Sequence, residues 1–452
     1  MEVNNIWTKS LLPTPIDYLI IIAYLLIIFI ISRHIKAKYI KEKPEYKYFV
    51  KGLFIKILGG IIFCLIYIVY YQEAGDTIGY FRSSEALFNL FFKDPYAYFS
   101  IMYGNLSAHN SSTFDIYTGF PWYYSDNQAF AVVRFINPFL ILSFKNYFTA
   151  TILLSAFSYI GIWKMYQMFC ELYPKYNKYF AITVLFIPSV LFWGSGILKD
   201  TFTLSASCWF TYNFYKVFIK KNDRITNVIF LILNIFIILS LKPYIIVALF
   251  PGTIIWGLYD KITQIKSKVF RLLIAPFLIL FAFIIGYAAI SLFKEELGKY
   301  SNMESIIKKA KITQQDLIRA EQYGINYYNI GEFKTTADII KKTPNAIVAG
   351  LYRPFIWEGN TLFIFISGIE NAIILLFTIY IFVFSGGFLR NSKNIFQDPL
   401  LIFLFLYAVF FAFSIGLSTA NFGALVRYRI PLLPFFTSGL MILYIKKLSP
   451  KL

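Results

Sequence analysis

Long apolar runs, separated by short basic stretches, constrain this chain more than any other feature. Examples are Tyr18–Ile31, about Leu53–Tyr70, about Phe148–Trp163 and about Leu400–Ile415. A helix needs roughly 20 mostly apolar residues to cross a bilayer. Hydrophobic residues make up 58% of the chain and charged residues 15%, which is too little charge for an ordinary soluble domain. The sequence therefore predicts an all-α integral membrane protein.

The basic residues predict the orientation of the chain in the membrane. The formal net charge of +19 would suggest a nucleic-acid partner in a soluble protein, but these residues cluster in short loops such as Arg33–Gly52 and Lys216–Arg224. That distribution follows the positive-inside bias. It indicates that the basic residues lie near anionic lipid headgroups, and we expect no nucleic-acid partner. We expect a multi-pass protein of a bacterial cytoplasmic (inner) membrane, with the N-terminus outside and the C-terminus cytoplasmic.

With these loops inside, the hydropathy rule predicts about eleven crossings. The run Phe130–Phe144 is short and contains Arg134, Asn137 and Pro138, so we interpret it as interfacial or re-entrant. The predicted segments are an N-terminal helix pair with a basic cytoplasmic loop (1–72), an extracytoplasmic loop with interfacial helices (73–145), a transmembrane bundle (146–293), a small extracytoplasmic helical cap (294–350) and C-terminal transmembrane helices (351–452). Helix-start signatures at Ser301–Glu304 and Thr313–Asp316 support the cap.

Metal and cofactor motifs are scarce in the sequence. The cysteines Cys64, Cys170 and Cys208 and the histidines His34 and His109 have no metal-ligand spacing. A phosphate loop, a G-x-S-x-G elbow and an H-E-x-x-H motif are missing from the sequence. We expect no cofactor, while a divalent cation held by carboxylates stays open.

The candidate site consists of charged residues that are predicted to lie at the outer boundary of the membrane. Asp76 lies in GDTIGYF (Gly75–Phe81), where the second apolar run gives way to polar sequence, and suits either a catalytic carboxylate or a helix cap. The full set is Asp76, Arg82, Glu85, Arg134, Lys199, Asp200, Lys242, Arg353, Glu358, Arg427 and Arg429. Charge at membrane depth marks a cavity or a site unless it is paired. The cations outnumber the acids, which suits a phosphate-like substrate group. Snorkelling of helix-end cations to water is the alternative for each one taken singly, and for Arg427 it fits at least as well.

Three longer motifs surround these charges. PSVLFWGSGILKD (Pro188–Asp200) predicts a broken helix, because a proline and two glycines precede a charged pair. LYRPFIWE (Leu351–Glu358) places Arg353 and Glu358 on either side of a tryptophan, which also fits a structural salt bridge. RYRIPLLPF (Arg427–Phe435) places Tyr428 between two arginines, ahead of helix-breaking prolines.

Together with GDTIGYF, these motifs resemble polytopic glycosyltransferases of the GT-C class and EpsG-like or Wzy-like polysaccharide polymerases. The resemblance implies a polyprenyl-phosphate-linked sugar donor, a glycan acceptor and Asp76 as the base. It implies phosphate binding by Arg134, Lys199, Lys242, Arg353, Arg427 and Arg429, supported by Asp200, Glu358, Arg82 and Tyr428. Asp76 follows the second apolar run here, whereas the catalytic acid of the GT-C class follows the first. The catalytic group could therefore instead be an arginine, such as Arg353 or Arg427.

Two other functions are compatible with the same sequence features. A flippase or transporter of an anionic lipid-linked glycan would use the same cations along a path and would carry charges deep inside its helices. A non-catalytic membrane subunit of a cell-envelope complex would dock a partner on the predicted cap (294–350).

Overall fold

The computed structural model of the chain describes residues 9–72, 75–222, 224–263, 311–316, 326–328, 331 and 336–448. These residues are helical or irregular, and no β-strand occurs among them. Tyr327 and Asn421 form an isolated antiparallel bridge. The all-α fold class is confirmed for this part of the chain.

Eighteen α-helices lie wholly within the described residues. They are α1 (Pro15–Tyr39), α2 (Phe49–Leu65), α3 (Gly75–Lys93), α4 (Pro95–Tyr103), α5 (Ala108–Ser111), α6 (Asn127–Leu142), α7 (Tyr147–Leu172), α8 (Asn177–Phe180), α9 (Pro188–Trp193), α10 (Lys199–Phe214), α11 (Arg224–Leu241), α12 (Tyr244–Thr263), α13 (Thr336–Tyr352), α14 (Leu362–Ile379), α15 (Gly387–Gln397), α16 (Pro399–Ser418), α17 (Phe422–Tyr428) and α18 (Leu433–Leu448). Short 3₁₀ helices cover Pro44–Tyr48, Pro174–Tyr176 and Ile356–Glu358, and π-helical turns cover Ile66–Tyr71, Ala181–Leu185, Tyr215–Ile219 and Tyr380–Phe384.

Several helices are long and apolar enough to cross a membrane. Five qualify within the described ranges, namely Pro15–Tyr39, Pro44–Tyr71, Tyr147–Leu172, Leu362–Phe384 and Pro399–Ser418. A sixth is formed if α17 and α18, which are bent by 66°, count as one span. These helices fit a multi-pass membrane protein. The number of about eleven crossings and the orientation of the chain stay predictions.

Part of the predicted architecture falls outside the described residues. This holds for the predicted helix of about Leu272–Leu292 and for most of the predicted cap, including Ser301–Glu304. Thr313–Asp316 lies in a short described helical stretch, 311–316. The run Phe130–Phe144 forms helix α6, and its Asn137 is fully buried.

The described chain divides into two compact units. Unit 1 comprises Met1–Glu171, Val190–Trp209 and Phe236–Lys242, and unit 2 comprises Leu172–Ser189, Phe210–Ile235 and Pro243–Leu452. The chain therefore passes between the units several times, and the five sequence-based segment boundaries stay predictions.

In unit 1, helix α3 packs against α6 through buried polar contacts. The side-chain amide of Asn137 donates to the backbone oxygen of Ser84 and to its hydroxyl, both at 3.0 Å, and accepts a 2.8 Å bond from the Tyr98 hydroxyl. These bonds satisfy a polar residue inside an apolar helix.

In unit 2, helices α13 and α16 cross at small residues. A Cβ atom added at Gly350 would lie 2.2 Å from the carbonyl oxygen of Ala412, and one added at Gly416 would lie 2.0 Å from that of Ala346. Both helices thus carry an Ala-x-x-x-Gly pattern, the small-residue spacing that lets membrane helices approach closely.

Candidate functional site

The predicted helix break between α9 and α10 is confirmed in unit 1. Buried side chains bond the three carbonyl oxygens of Gly194–Gly196. Lys56 donates to the first, Ser155 to the second at 2.8 Å and Thr201 to the third at 2.5 Å. Irregular backbone inside a membrane protein needs such partners, because lipid offers none. Lys56 is 1% exposed and makes no ion pair with any described residue.

Asp200 and Lys242, which are 42 positions apart, form a buried ion pair. Asp200 lies in the first turn of α10, and Lys242 directly follows α11. Their side chains are 0% and 7% exposed. The pair makes Asp200 the counter-ion of a cation that the sequence assigned to phosphate binding. Lys199, the neighbouring predicted phosphate ligand, is half-buried.

Asp76 lies in the first turn of α3 and is half-buried. The hydroxyl of Tyr123 donates to its Oδ1 over 3.3 Å. The same tyrosine ring lies against Gly79, where an added Cβ would be 2.7 Å from it. A carboxylate at the start of a helix is favoured by the helix dipole, so this position fits both the helix-start and the catalytic interpretation.

Arg82 and Arg134 make local structural contacts in unit 1. Arg82 pairs with Glu85, three residues along α3, over 2.7 Å. Arg134 donates to the backbone oxygens of Ile101 over 3.0 Å and of Gly104 over 2.7 Å. These carbonyls end helix α4, and capping them accounts for the position of Arg134. Its phosphate-binding role stays a prediction.

Arg353 is held in unit 2 by an ion pair and two aromatic rings. Its Nε donates to both carboxylate oxygens of Glu358, at 3.0 and 3.1 Å, and its Nη2 donates to one of them. Its guanidinium lies 4.7 Å from the ring centre of Tyr328 and 5.4 Å from that of Phe422. Burial raises the pKa of Tyr328, so the ring beneath the cation stays neutral. The arginine side chain is 22% exposed, so the ion pair leaves part of it accessible.

Arg429 is fully buried beside it. Its Nη1 donates to the backbone oxygen of Arg353 over 2.9 Å, and its Nη2 donates to the side-chain oxygen of Asn371. The amide of Asn371 donates in turn to the backbone oxygen of Pro354 over 2.8 Å. Among the described residues, Nε of Arg429 has no hydrogen-bond partner. A permanently charged guanidinium is thus held by neutral oxygens.

Further charges adjoin Arg429. Glu370 interacts with it electrostatically, while the carboxylate itself accepts bonds from the backbone and hydroxyl of Ser189, at 2.7 and 2.5 Å. Arg427 is half-buried and lies 5.6 Å from the ring centre of Tyr428. The unit 2 cluster, defined as Arg353, Glu358, Glu370 and Arg429, holds two cations and two acids.

The structure therefore places some of the predicted site residues in contact with one another, and it shows further polar residues beside them. Asp200 meets Lys242 in unit 1, and Arg353, Glu358 and Arg429 meet in unit 2. The sequence reasoning missed Lys56, Glu370, Asn371 and Tyr328. The first three are polar residues inside apolar runs, a signal that was visible in the sequence.

No protein-family model matches the chain, and neither a curated protein nor a solved structure is significantly similar to it. Within the described ranges, no three His, Cys, Asp or Glu side chains are grouped so as to hold a metal ion. The expectation that the protein has no cofactor stays a prediction.

Proposed function

We propose that the protein is a membrane-embedded glycosyltransferase or polysaccharide polymerase that uses polyprenyl-phosphate-linked sugars at the outer face of the bacterial cytoplasmic membrane. The observation that carries the proposal is Arg429, a buried guanidinium whose hydrogen-bond acceptors are neutral oxygens and whose Nε has no hydrogen-bond partner in the described part of the chain. A buried charge is costly unless a counter-ion and hydrogen bonds compensate it.

Phosphate fits this cluster better than a neutral sugar does. Guanidinium groups present paired N–H donors that match phosphate oxygens. Arg353 keeps an accessible part while Glu358 and two aromatic rings fix its orientation. Such preorganised cations stabilise negative charge that develops on a leaving group.

The proposed reaction balances as a simple transfer. The acceptor hydroxyl oxygen bonds to the anomeric carbon while the bond from that carbon to the phosphate oxygen breaks. The polyprenyl phosphate leaves with the electron pair, and a carboxylate takes the hydroxyl proton. Asp76 stays the predicted base.

The test uses purified protein in liposomes with a polyprenyl-linked oligosaccharide, with product length read by mass spectrometry. We expect Arg353→Gln to lower the transfer rate roughly 100-fold, the typical loss when one charge-stabilising donor is removed. Arg33→Gln is the matched control, because Arg33 lies exposed on α1. Equal rates for both variants would remove the phosphate-binding role of Arg353.

Asp76→Asn tests the base separately. We expect it to abolish transfer while the protein still purifies as a folded, monodisperse species. Full activity in this variant would show that another group takes the proton.

A transporter of an anionic lipid-linked glycan is the second candidate, because charges lie deep in two candidate spans. Lys56 lies near the middle of Pro44–Tyr71, and Glu370 lies well inside Leu362–Phe384. Such positions are characteristic of translocation paths. If liposomes containing the protein move the labelled lipid between leaflets and never lengthen the glycan, the transporter replaces the enzyme.

A further inference from the structure

Helix α15 (Gly387–Gln397) presents a basic, amphipathic surface that the described part of the chain leaves exposed. Phe388, Leu389 and Phe396 are 67%, 84% and 75% exposed. At 100° per residue these three side chains fall within one apolar third of the helix. Arg390 and Lys393 are both exposed, and by the same rotation Lys393 lies about 40° and Arg390 about 100° beyond the edge of that stripe.

The opposite side of α15 is fixed to unit 2. Asn391 is 2% exposed, and its amide donates to the backbone oxygens of Ile381 and Ser385, at 2.8 and 3.0 Å. The Tyr259 hydroxyl donates to the backbone oxygen of Gln397 over 2.6 Å. The exposed stripe is therefore held in a set orientation.

The depth of α15 follows from its neighbours in the chain. The candidate span Leu362–Phe384 ends just before it, and the candidate span Pro399–Ser418 begins just after it. A helix that joins two spans in this way lies where the hydrocarbon core ends and the headgroups begin. Amphipathic helices with a basic flank favour that layer.

The same end of unit 2 carries further positive charge. Lys446 pairs with Asp398, the residue after α15, over 2.7 Å. Lys447 follows and lies 5.4 Å from the ring centre of Tyr380. The acid nearest in sequence to α15 is thus already engaged, and no acid among the described residues forms an ion pair with Arg390 or Lys393.

We propose that α15 is an interfacial helix that binds anionic phospholipid headgroups through Arg390 and Lys393. Its apolar stripe lies in the acyl-chain boundary beneath them. Anionic lipid is the occupant because the surface combines exposed apolar area, two cations and the depth of the headgroup layer. This inference is independent of the reaction proposed above.

A fluorescence experiment tests the depth of the helix. The cysteines Cys64, Cys170 and Cys208 are all buried, so an NBD label should attach selectively to Leu389→Cys. Lys175→Cys, on an exposed 3₁₀ turn, is the comparison. In liposomes we expect the label at position 389 to resist aqueous iodide and to be quenched by lipids spin-labelled near the headgroup. Iodide quenching as strong as at position 175 would overturn the proposal.

A lipid-retention experiment tests the charge. The protein is equilibrated with mixed phosphatidylglycerol and phosphatidylcholine, and retained lipid is counted by mass spectrometry. We expect Arg390→Gln with Lys393→Gln to lower the preference for phosphatidylglycerol roughly fivefold per removed charge. The charge-preserving Arg390→Lys with Lys393→Arg should keep it. An unchanged preference in the glutamine variant would overturn the proposal.

Discussion

Alanine substitution at the α13–α16 crossing tests the fold of unit 2 most directly. In Gly416→Ala the new Cβ would lie 2.0 Å from the carbonyl oxygen of Ala346, although such contacts essentially never fall below 3.0 Å. The two backbones must therefore separate by about 1 Å, because a backbone carbonyl cannot swing aside as a side chain can. Overpacking of this kind costs about 1–3 kcal/mol, and we expect the upper end of that range.

Gly350→Ala makes the reciprocal contact, 2.2 Å from the carbonyl oxygen of Ala412. We expect a similar loss of stability. One separation of the helices relieves both clashes, so the double variant should lose less than the sum of the single losses.

The assay is reversible unfolding of the purified protein in mixed micelles, with the helical circular dichroism signal followed against the denaturing detergent fraction. Val348→Ala is the matched control, because Val348 is on α13 and 43% exposed. It should unfold close to the wild-type midpoint. If both glycine variants unfold at that same midpoint, the close crossing does not exist, and the packing described for unit 2 is wrong.

Three further predictions concern unit 1. Asp200→Asn removes the carboxylate that pairs with the buried ammonium of Lys242 and should destabilise the protein by about 3–5 kcal/mol in the same unfolding assay. Adding Lys242→Met should restore most of the loss, and failure to do so would show that the lost stability does not come from this ion pair. Lys56→Met removes a donor from a buried carbonyl and should cost about 1–3 kcal/mol, whereas wild-type stability would mean that the helix break needs no such donor. The hydrogen bond from Lys93, with backbone bonds, lowers the pKa of Asp115 from 3.8 to about 2. The stabilisation that the ionised Asp115 carboxylate gives the folded protein is therefore complete above about pH 4, and it is lost as the pH falls towards 2. The hydrogen-exchange rates of residues 113–119 should rise across that pH window in the wild type but not in Asp115→Asn.

Helix positions were largely readable from hydropathy, and their ends were readable from capping residues. The run predicted as Leu400–Ile415 forms Pro399–Ser418, with Asp398 accepting bonds from two backbone N–H groups at its start. A proline at the first helical position reinforces this start. Local signals of this kind act through neighbouring residues, so the sequence displays them.

The run Phe130–Phe144 shows where local reasoning stops. Its polar residues suggested an interfacial or re-entrant segment. In the structure Asn137 is satisfied by Ser84 and Tyr98, which lie 53 and 39 positions away. No pattern within the run could reveal those partners.

Ionisable residues in apolar surroundings were the useful signal for the candidate site. Asp200, Lys242, Arg353, Glu358 and Arg429 were all selected in this way, because a charge at membrane depth is costly without compensation. That argument identifies residues that need a partner. It does not identify the partner itself.

Composition and hydropathy were enough to predict a helical, apolar chain with basic loops, and they indicated which charges needed compensation. The folded chain was needed to reveal the pairing of Asp200 with Lys242, the contact of Arg429 with Asn371 across 58 positions and the Gly350–Gly416 crossing. The difference lies in the range over which the interactions act. Hydropathy and capping act within a few residues, whereas ion pairing, hydrogen bonding and close packing depend on which distant segments the fold brings into contact.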